Sequence, residues 1–334
     1  MAIIIGKQNV IDIYREAEEK RWVLPCFCSE NLTTTEAILA AAKQYGESAG
    51  ITDLPITIAI TCRYDHRSQA AFYTHTRRWD TGLLLFYKDI EVLAGSGGPF
   101  EKLRVMVHLD HIQHDEDIEL VNGDLSCFSS IMYDASKLPF LSNIEQTARF
   151  VEKKGSRLMV EGACDEVIDA DGNIKSELTS PDKAEEYFKA TGVDMIVANL
   201  GTEHRASAKN LRYHEGYAKK IKELIGTKIV LHGASSVAAE QIENLIDDGV
   251  CKVNIWTALE RDSTPVLFRK MVENSIKVAG ENIVVQMKND GFLGDRCQSS
   301  GKASLDYFTT SFRQDIIFKE MEKIVFSYLK LWYK

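Results

Sequence analysis

Short runs of apolar, largely β-branched residues alternate along the chain with longer segments in which apolar residues recur at helical spacing. The short runs predict eight β-strands, and the longer segments predict helices between them. The predicted strands cover residues 22–28, 55–62, 104–111, 127–134, 157–164, 194–201, 228–235 and 250–257. The predicted helices cover residues 33–46, 80–93, 140–154, 181–191, 214–225 and 237–248.

The regular alternation of strands and helices predicts an α/β fold, a closed (β/α)₈ TIM barrel, with an open doubly wound sheet as the alternative. Nearly continuous apolar strands such as 229–231 are typical of parallel strands that are covered on both faces. Thr-Ser-Pro-Asp at 179–182 is a helix start, because a hydroxyl side chain precedes a proline in the first turn. We expect the barrel to occupy residues 1–285.

Residues 286–334 are expected to form an appended C-terminal segment. It begins with a stretch rich in Gly, Ser and Asp, which is typical of a loop. An amphipathic, aromatic-rich pattern over 314–333 then predicts a helix. Two interpretations stay open for this helix. It contacts a second copy of the chain, as in a homodimer or homotetramer, or it packs back on its own barrel.

The amino-acid composition of the chain limits the kinds of partner that we expect for it. The chain has 334 residues, of which 45% are hydrophobic and 27% charged, as in ordinary soluble globular proteins. The net charge of −9 argues against nucleic acid as a partner. No stretch is long and apolar enough for a membrane span or a signal peptide. The seven scattered cysteines suggest reduced thiols, and we therefore expect a cytoplasmic protein.

Three histidines each follow an apolar strand: His111, His204 and His232. One histidine at a strand end is usually structural, but in a barrel the C-terminal ends of all strands meet at one rim. Three neutral imidazoles with one open coordination position are the ligand set of a catalytic divalent metal, above all zinc. The sequence therefore predicts one Zn²⁺ site on these three residues.

Asp110 directly precedes the first of these histidines. On a regular strand, neighbouring side chains point to opposite faces. Asp110 and His111 reach one substrate only if the chain bends at the strand end. We interpret Asp110 as an acid/base group, while a carboxylate that caps the next helix is the alternative.

The loops after the seventh and eighth strands offer backbone N–H groups and hydroxyls beside predicted helix starts. Gly233 and Ser235 belong to the first loop, and Asn254 and Thr257 belong to the second. TIM barrels commonly bind phosphate with these two loops, using the positive end of a helix. The pair of loops therefore favours an anionic group on the ligand.

Together these motifs resemble the class II (zinc-dependent) fructose-/tagatose-bisphosphate aldolases, over about residues 22–260. The stretch at 129–144 is the most specific. The matching motifs are His-Leu-Asp-His at 108–111, Ser-Ser-Ile-Met-Tyr-Asp-Ala-Ser-Lys-Leu-Pro-Phe-Leu-Ser-Asn-Ile at 129–144, Thr-Gly-Val-Asp at 191–194, Leu-Gly-Thr-Glu-His at 200–204, Leu-His-Gly-Ala-Ser at 231–235 and Lys-Val-Asn-Ile-Trp-Thr at 252–257.

The resemblance implies a role for each matching position. The three histidines would hold zinc, and Asp110 would be the acid/base carboxylate. Residues that would bind the substrate and its phosphate are Asn31, Thr61, Gly233, Ser235, Asn254 and Thr257. The implied reaction is cleavage of a ketose or ketose phosphate through a zinc-stabilised enediolate, with Asp110 taking the proton of the hydroxyl beyond the breaking bond.

The chain departs from the family pattern at the acidic loop and at the phosphate end. The second glutamate of the acidic loop is Ala163, which leaves Glu166, Asp169 and Asp171 as candidates for the base that removes the carbon-bound proton. Arg205 stands in place of a glycine that lets the backbone approach phosphate. We interpret Arg205 as a substrate contact, with Arg63 or Arg67 as helpers, because a guanidinium binds anions in bidentate fashion. An arginine that points to solvent, with the loop rebuilt around it, is the alternative.

Cys28 replaces the first asparagine of a Phe-Asn-x-x-Asn segment, while Asn31 keeps the second. These departures predict an aldolase whose substrate is not fructose 1,6-bisphosphate. Two alternatives stay open: a metal-dependent sugar or sugar-phosphate epimerase or isomerase, and a sugar-phosphate-binding barrel without catalysis. Product analysis separates them, since only cleavage releases an aldehyde.

Overall fold

A computed structural model describes residues 3–165, 178–202 and 211–334. Within these ranges the strands are all parallel and belong to one sheet. They are β1 (Ile3–Ile4), β2 (Leu24–Cys28), β3 (Pro55–Thr61), β4 (Arg104–Gln113), β5 (Ser130–Asp134), β6 (Met159–Ala163), β7 (Met195–Val197), β8 (Ile229–Leu231) and β9 (Val250–Ile255).

Eight of these strands close into a barrel in the order β4-β3-β2-β9-β8-β7-β6-β5, with β5 paired again to β4. The short β1 lies outside the ring and pairs only with the start of β4. Each predicted strand matches one strand of the ring, and their side chains are buried almost throughout. The predicted (β/α)₈ TIM barrel is confirmed.

Helices surround the barrel and continue past its last strand. They are α1 (Lys7–Glu19), α2 (Leu32–Ala49), α3 (Gln69–Phe72), α4 (Trp79–Ala94), α5 (Ile118–Asn122), α6 (Phe140–Lys154), α7 (Pro181–Thr191), α8 (Glu215–Ile225), α9 (Thr257–Glu273), α10 (Ser275–Ala279), α11 (Glu281–Asn289), α12 (Leu305–Phe308) and α13 (Thr310–Trp332). The predicted start of α7 is confirmed, because the Ser180 hydroxyl accepts from the Lys183 N–H.

The predicted helix over 237–248 is wrong. This segment holds two short 3₁₀ turns, Ala239–Gln241 and Leu245–Asp248. An α-helix would need the Ile242 carbonyl for its own ladder, but that carbonyl accepts the indole N–H of Trp332 at 2.8 Å. The Gln241 side chain is likewise held by the backbone of Leu211 and Tyr213. Hydrogen bonds from outside the segment override its helical pattern.

The C-terminal helix α13 packs on α2 and α9. Met321, Val325, Leu329 and Trp332 are buried in the same apolar core as the barrel. The assignment of residues 286–334 as a separate oligomer contact stays a prediction. In the described ranges, every helix is too short or too polar to cross a membrane.

Candidate active site

A cavity opens at the C-terminal ends of the barrel strands, with an empty volume of about 510 Å³. It gathers eight of the predicted site residues: Thr61, Asp110, His111, His232, Gly233, Ser235, Asn254 and Thr257. These residues come from four strands, β3, β4, β8 and β9, or from the loops that follow them. The prediction that they share one rim therefore agrees with their placement in the barrel.

The bend expected between Asp110 and His111 is present as a β-bulge. In the pairing of β4 with β5, the register shifts between Leu109 and Ile112. His111 has φ +46°, a left-handed conformation that is rare for a residue with a Cβ. A bulge places two residues opposite one on the neighbouring strand and redirects their side chains. Both the carboxylate and the imidazole consequently line the cavity.

His111 is oriented by a buried carboxylate. Its Nδ1 lies 2.9 Å from Oδ2 of Asp134. The same Oδ2 accepts from the Gln113 amide, and the other oxygen, Oδ1, accepts from the Ser136 hydroxyl. An ionised carboxylate only accepts, so the Nδ1 of His111 donates and its Nε2 keeps a lone pair. Burial raises the pKa of Asp134, but the hydrogen bond from His111 outweighs it and holds the pKa well below its usual range.

The lone pair of His111 faces His232. The Nε2 of His111 and the Nδ1 of His232 are 3.1 Å apart, and both side chains are buried. Two nitrogens bound tetrahedrally to one zinc ion at 2.0–2.1 Å would lie about 3.3 Å apart. Ligand atoms of Asp110, His111 and His232 all lie within 4.8 Å of one another. This donor set fits a divalent metal, and the Asp134–His111 contact is the support that metal-bound histidines usually have.

Asp110 is held from two sides. Its Oδ1 accepts from the amide of Asn254 at 2.9 Å, and its Oδ2 accepts from the Cys28 thiol at 3.4 Å. Burial raises the pKa of Cys28, so the thiol stays protonated and donates to this carboxylate. Burial also raises the pKa of Asp110, but His111, His108 and His232 together outweigh this effect and hold the pKa of Asp110 low. The carboxylate is therefore ionised and able to take up a proton.

A buried ion pair lies beneath the cavity. The Lys252 ammonium donates to both oxygens of Glu161, at 2.7 and 2.9 Å, and to Nε2 of His108 at 3.1 Å. All three side chains are 0% exposed. Burial lowers the pKa of Lys252, but Cys26, Glu161 and Asp110 together raise it, and the amine stays protonated. Its charge offsets the carboxylates that surround it.

The two predicted phosphate loops differ in form. After β8, Gly233 has φ +71° and leads into a 3₁₀ turn, Ala234–Ser236. After β9, Thr257 opens the long helix α9. Asn254 keeps its side-chain oxygen without a hydrogen-bond partner among the described residues, although it is buried. That oxygen is available to a ligand.

Two other predicted binding residues are engaged within the protein. The Oδ1 of Asn31 accepts from the Thr34 N–H at 3.0 Å, which makes it the N-cap of α2, and Asn31 does not line the cavity. The Thr61 hydroxyl donates to the Arg67 carbonyl and accepts from the Gln69 N–H at 3.0 Å. Three further predicted site residues, Glu166, His204 and Arg205, lie outside the described residues, as do Asp169 and Asp171.

Several site residues were missed from the sequence. Asp134 lay within the matching motif at 129–144, and its position at the end of β5 was the available signal. Tyr64, stacked on His111 at 4.2 Å, and Trp256 line the cavity without any pattern that marks them. Arg67 was considered only as a helper of Arg205.

Comparisons with known proteins agree with this geometry. The model of the family described as fructose-bisphosphate aldolase class-II matches residues 8–298. Among solved structures, the chain is similar to a fructose-bisphosphate aldolase from Campylobacter jejuni, at 18% identity and a TM-score of 0.76, covering 99% of this chain and 95% of that one. It is also similar to the YdjI aldolase from Escherichia coli K12, at 18% identity and a TM-score of 0.61, covering 96% and 94%. At such identity the two structures show a shared fold.

Proposed function

We propose a function from one premise: the chain belongs to the fructose-bisphosphate aldolase class-II family, and it is therefore an enzyme of the lyase class. We infer that it is a zinc-dependent aldolase that breaks and forms a carbon–carbon bond in a ketose or ketose phosphate other than fructose 1,6-bisphosphate. The observation that carries this proposal is the buried pair of His111 and His232 with Asp110 beside it.

His111 and His232, with His204 as the third ligand, would hold the metal. A divalent metal supplies a Lewis acid that polarises a carbonyl oxygen. Asp134 fixes the tautomer of His111 and so keeps its Nε2 available. His111, His232 and Asp134 are buried, which keeps water from the reacting carbonyl and strengthens electrostatic interactions there.

Asp110 acts as the base for the substrate hydroxyl. Its carboxylate takes the hydroxyl proton as the carbon–carbon bond breaks, and returns it when the bond forms. Asn254 and Cys28 hold the two oxygens in place during this exchange. We assign the second proton transfer, at carbon, to Glu166, and a substrate contact to Arg205.

Gly233, Ser235 and Thr257 line the cavity and would bind the phosphate or another polar end of the substrate. Their position in the cavity supports a sugar or sugar phosphate as ligand. Asn31 and Thr61 stay predicted binding residues by resemblance only. A homodimer or homotetramer and a cytoplasmic location also stay proposals, the second supported by the scattered cysteines.

The experiment is a screen of zinc-loaded protein against ketoses and their mono- and bisphosphates, with the released aldehyde titrated. We expect Asp110→Asn to keep its metal and its fold but to lose on the order of 10²–10⁴ in turnover, the usual contribution of a general base. Ketose interconversion without aldehyde would favour the isomerase alternative. Ligand binding without turnover would favour the non-catalytic one. Loss of metal in Asp110→Asn would make Asp110 a ligand.

A further inference from the structure

One wall of the cavity is built by the loop that follows β3. Tyr64, His66 and Arg67 of this loop line the cavity together with Trp256. In the ring of eight strands, β3 is separated from β8 by β2 and β9. The loop after β3 therefore stands nearly across the mouth from the Gly233–Ser235 loop, and a substrate held at the latter meets Arg67 with its other end.

Arg67 is the one lysine or arginine among the described residues that line the cavity. Its guanidinium is already bound. Nε and Nη2 each donate to a different oxygen of Glu30, both at 2.6 Å. The same guanidinium lies 3.9 Å from the ring centre of Phe72 and 6.0 Å from that of Trp256. A bidentate pair of this kind uses the geometry that would otherwise bind phosphate.

A second carboxylate faces the same guanidinium. Glu260, in the first turn of α9, has one buried oxygen without a hydrogen-bond partner among the described residues. Burial and the charge of Glu30 raise the pKa of Glu260 to about 7, although Arg67 acts to lower it. Glu30 already neutralises the guanidinium, and Glu260 adds a second carboxyl group close enough to feel its charge, so this wall has no surplus positive charge.

The neighbouring cations of the loop are paired as well. Arg63 binds Glu119 at 2.9 Å, and Lys137 binds Asp65 at 2.6 Å. The Thr61 hydroxyl, at the position of a phosphate-binding serine in the resemblance, is used by the loop backbone. The helper role that the sequence suggested for Arg63 and Arg67 is therefore not supported by their contacts.

We propose that Glu30 is a specificity-determining residue, which neutralises Arg67 and makes the enzyme select substrates whose end at this wall is hydroxylated and unphosphorylated. This inference rests on the proposed aldolase function. With the phosphate of the donor at the Gly233–Ser235 loop, as in the proposed function, the acceptor aldehyde would lie against Arg67 in the aldol direction. An uncharged, hydroxylated aldehyde fits a wall of Tyr64, His66, Trp256 and a neutral ion pair.

The test uses zinc-loaded protein, dihydroxyacetone phosphate as donor, and two acceptors that differ only in phosphate: glyceraldehyde and glyceraldehyde 3-phosphate. We expect the wild type to have the higher kcat/KM for glyceraldehyde. Glu30→Gln keeps the shape but releases the guanidinium charge. It should shift the kcat/KM ratio towards the phosphorylated acceptor by on the order of tenfold or more, the worth of a hydrogen bond to a charged group.

Asp80→Asn is the matched control, because it removes the carboxylate of another bidentate pair, Arg78–Asp80, which is exposed and outside the cavity. Its ratio should equal that of the wild type. Glu260→Gln should shift the ratio in the same direction as Glu30→Gln, and it carries the test if Glu30→Gln fails to fold. A wild type that prefers glyceraldehyde 3-phosphate, or folded variants with an unchanged ratio, would overturn the proposal.

A binding measurement separates this proposal from the proposed function. If neither acceptor reacts with any form of the protein, the aldolase assignment fails. The role of Glu30 is then tested by the affinity for inorganic phosphate, measured from the thermal shift that phosphate causes. Glu30→Gln should bind phosphate at least tenfold more tightly than the wild type and Asp80→Asn. Equal affinities would refute the role of Glu30.

Discussion

The two ends of the barrel bury their polar groups in opposite ways. At the mouth, side chains that carry charge face one another: His111 lies against Asp134 and His232, in a left-handed backbone conformation. At the base, aromatic side chains seal the barrel and give their polar atoms to backbone carbonyls. Tyr333 donates to the Pro55 carbonyl at 2.5 Å, and Trp22 donates to that of Lys334 at 3.2 Å.

This difference separates chemistry from stability. The base gains free energy from the removal of large apolar surfaces from water, and its few polar atoms are satisfied. The mouth keeps a strained residue and buried polar atoms without partners among the described residues, such as Asn254 Oδ1 and Trp256 Nε1. Such features persist where the surrounding structure holds them in place, and they are typical of functional sites. Substitutions at the two ends should therefore affect different properties.

The largest effect is expected at the metal ligands. His232→Ala removes one of two facing imidazoles, so we expect bound zinc to fall from about one ion per chain to near zero and aldehyde release to fall to background. Metal content and cleavage rate of the purified variant are the measurements. His114→Ala, at a histidine outside the cavity, should retain both. Full zinc occupancy in His232→Ala would contradict the site.

The base should give the largest effect on folding. Trp332 is 2% exposed and lies in the same apolar core as the barrel, so Trp332→Ala should lower the free energy of unfolding by about 3–5 kcal/mol. Chemical denaturation measures this loss. The kcat of the folded fraction should stay at the wild-type value. Phe268→Ala, at a 71% exposed aromatic, should change stability by less than about 0.5 kcal/mol. A lower kcat in the folded fraction of Trp332→Ala would contradict the separation of stability at the base from chemistry at the mouth.

A smaller effect is expected one step behind the metal ligands. Asp134→Asn keeps the shape of the side chain but not the charge that orients His111. We expect zinc affinity to fall by about 10–100-fold, the usual cost of losing such a support. Competition with a chelator of known affinity measures this change. Asp115→Asn, at an exposed carboxylate, serves as control. Unchanged affinity would mean that the bulge alone orients His111.

The smallest effect concerns an ion pair near the base. Arg104 donates to both oxygens of Glu16, at 2.6 and 3.0 Å, and this lowers the pKa of Glu16 to about 2. The stabilisation is present above the ordinary pKa of about 4.5 and is lost as the pH falls towards 2. Because Glu16 is 30% exposed, solvent weakens the attraction, and we expect about 1 kcal/mol.

Glu16→Gln should therefore be less stable than the wild type at pH 7, and the gap should close between pH 4.5 and 2. Denaturation at a series of pH values measures it, with Glu19→Gln at an exposed position of the same helix as control. A gap that stays constant over this range would exclude the charge of Glu16 as its source.

The strands of the barrel could be predicted because burial on both faces demands apolar runs, and such runs are visible in the sequence. The bend at Asp110 and His111 was also predictable, since two adjacent polar residues needed one face. Helix α1 was missed although its buried residues Val10, Ile13 and Ala17 have helical spacing. The segment 237–248 misled for the opposite reason, because its helical pattern is overridden by Trp332.

Pairings between distant residues were beyond the reach of sequence patterns. Glu30 and Arg67 are separated by 37 positions, and the pairing of the neighbouring strands β2 and β3 brings them together. The same holds for Asp134 and His111, which lie on neighbouring strands. Periodicity reports which face of an element is buried, and it does not report which partner a buried side chain meets.

The bulge in β4 is needed for the chemistry of the site but not for the barrel fold. Asp110 and His111 together oppose Met132 of β5, and regular pairing resumes at Ile112 with Tyr133. The strand therefore carries one residue more than the barrel needs. Deletion of that one residue would restore an even ladder and leave the neighbouring pairs in register, while one of the two reactive side chains would turn away from the cavity. In a lineage of such barrels, a single codon could decide between an enzyme and an inert scaffold.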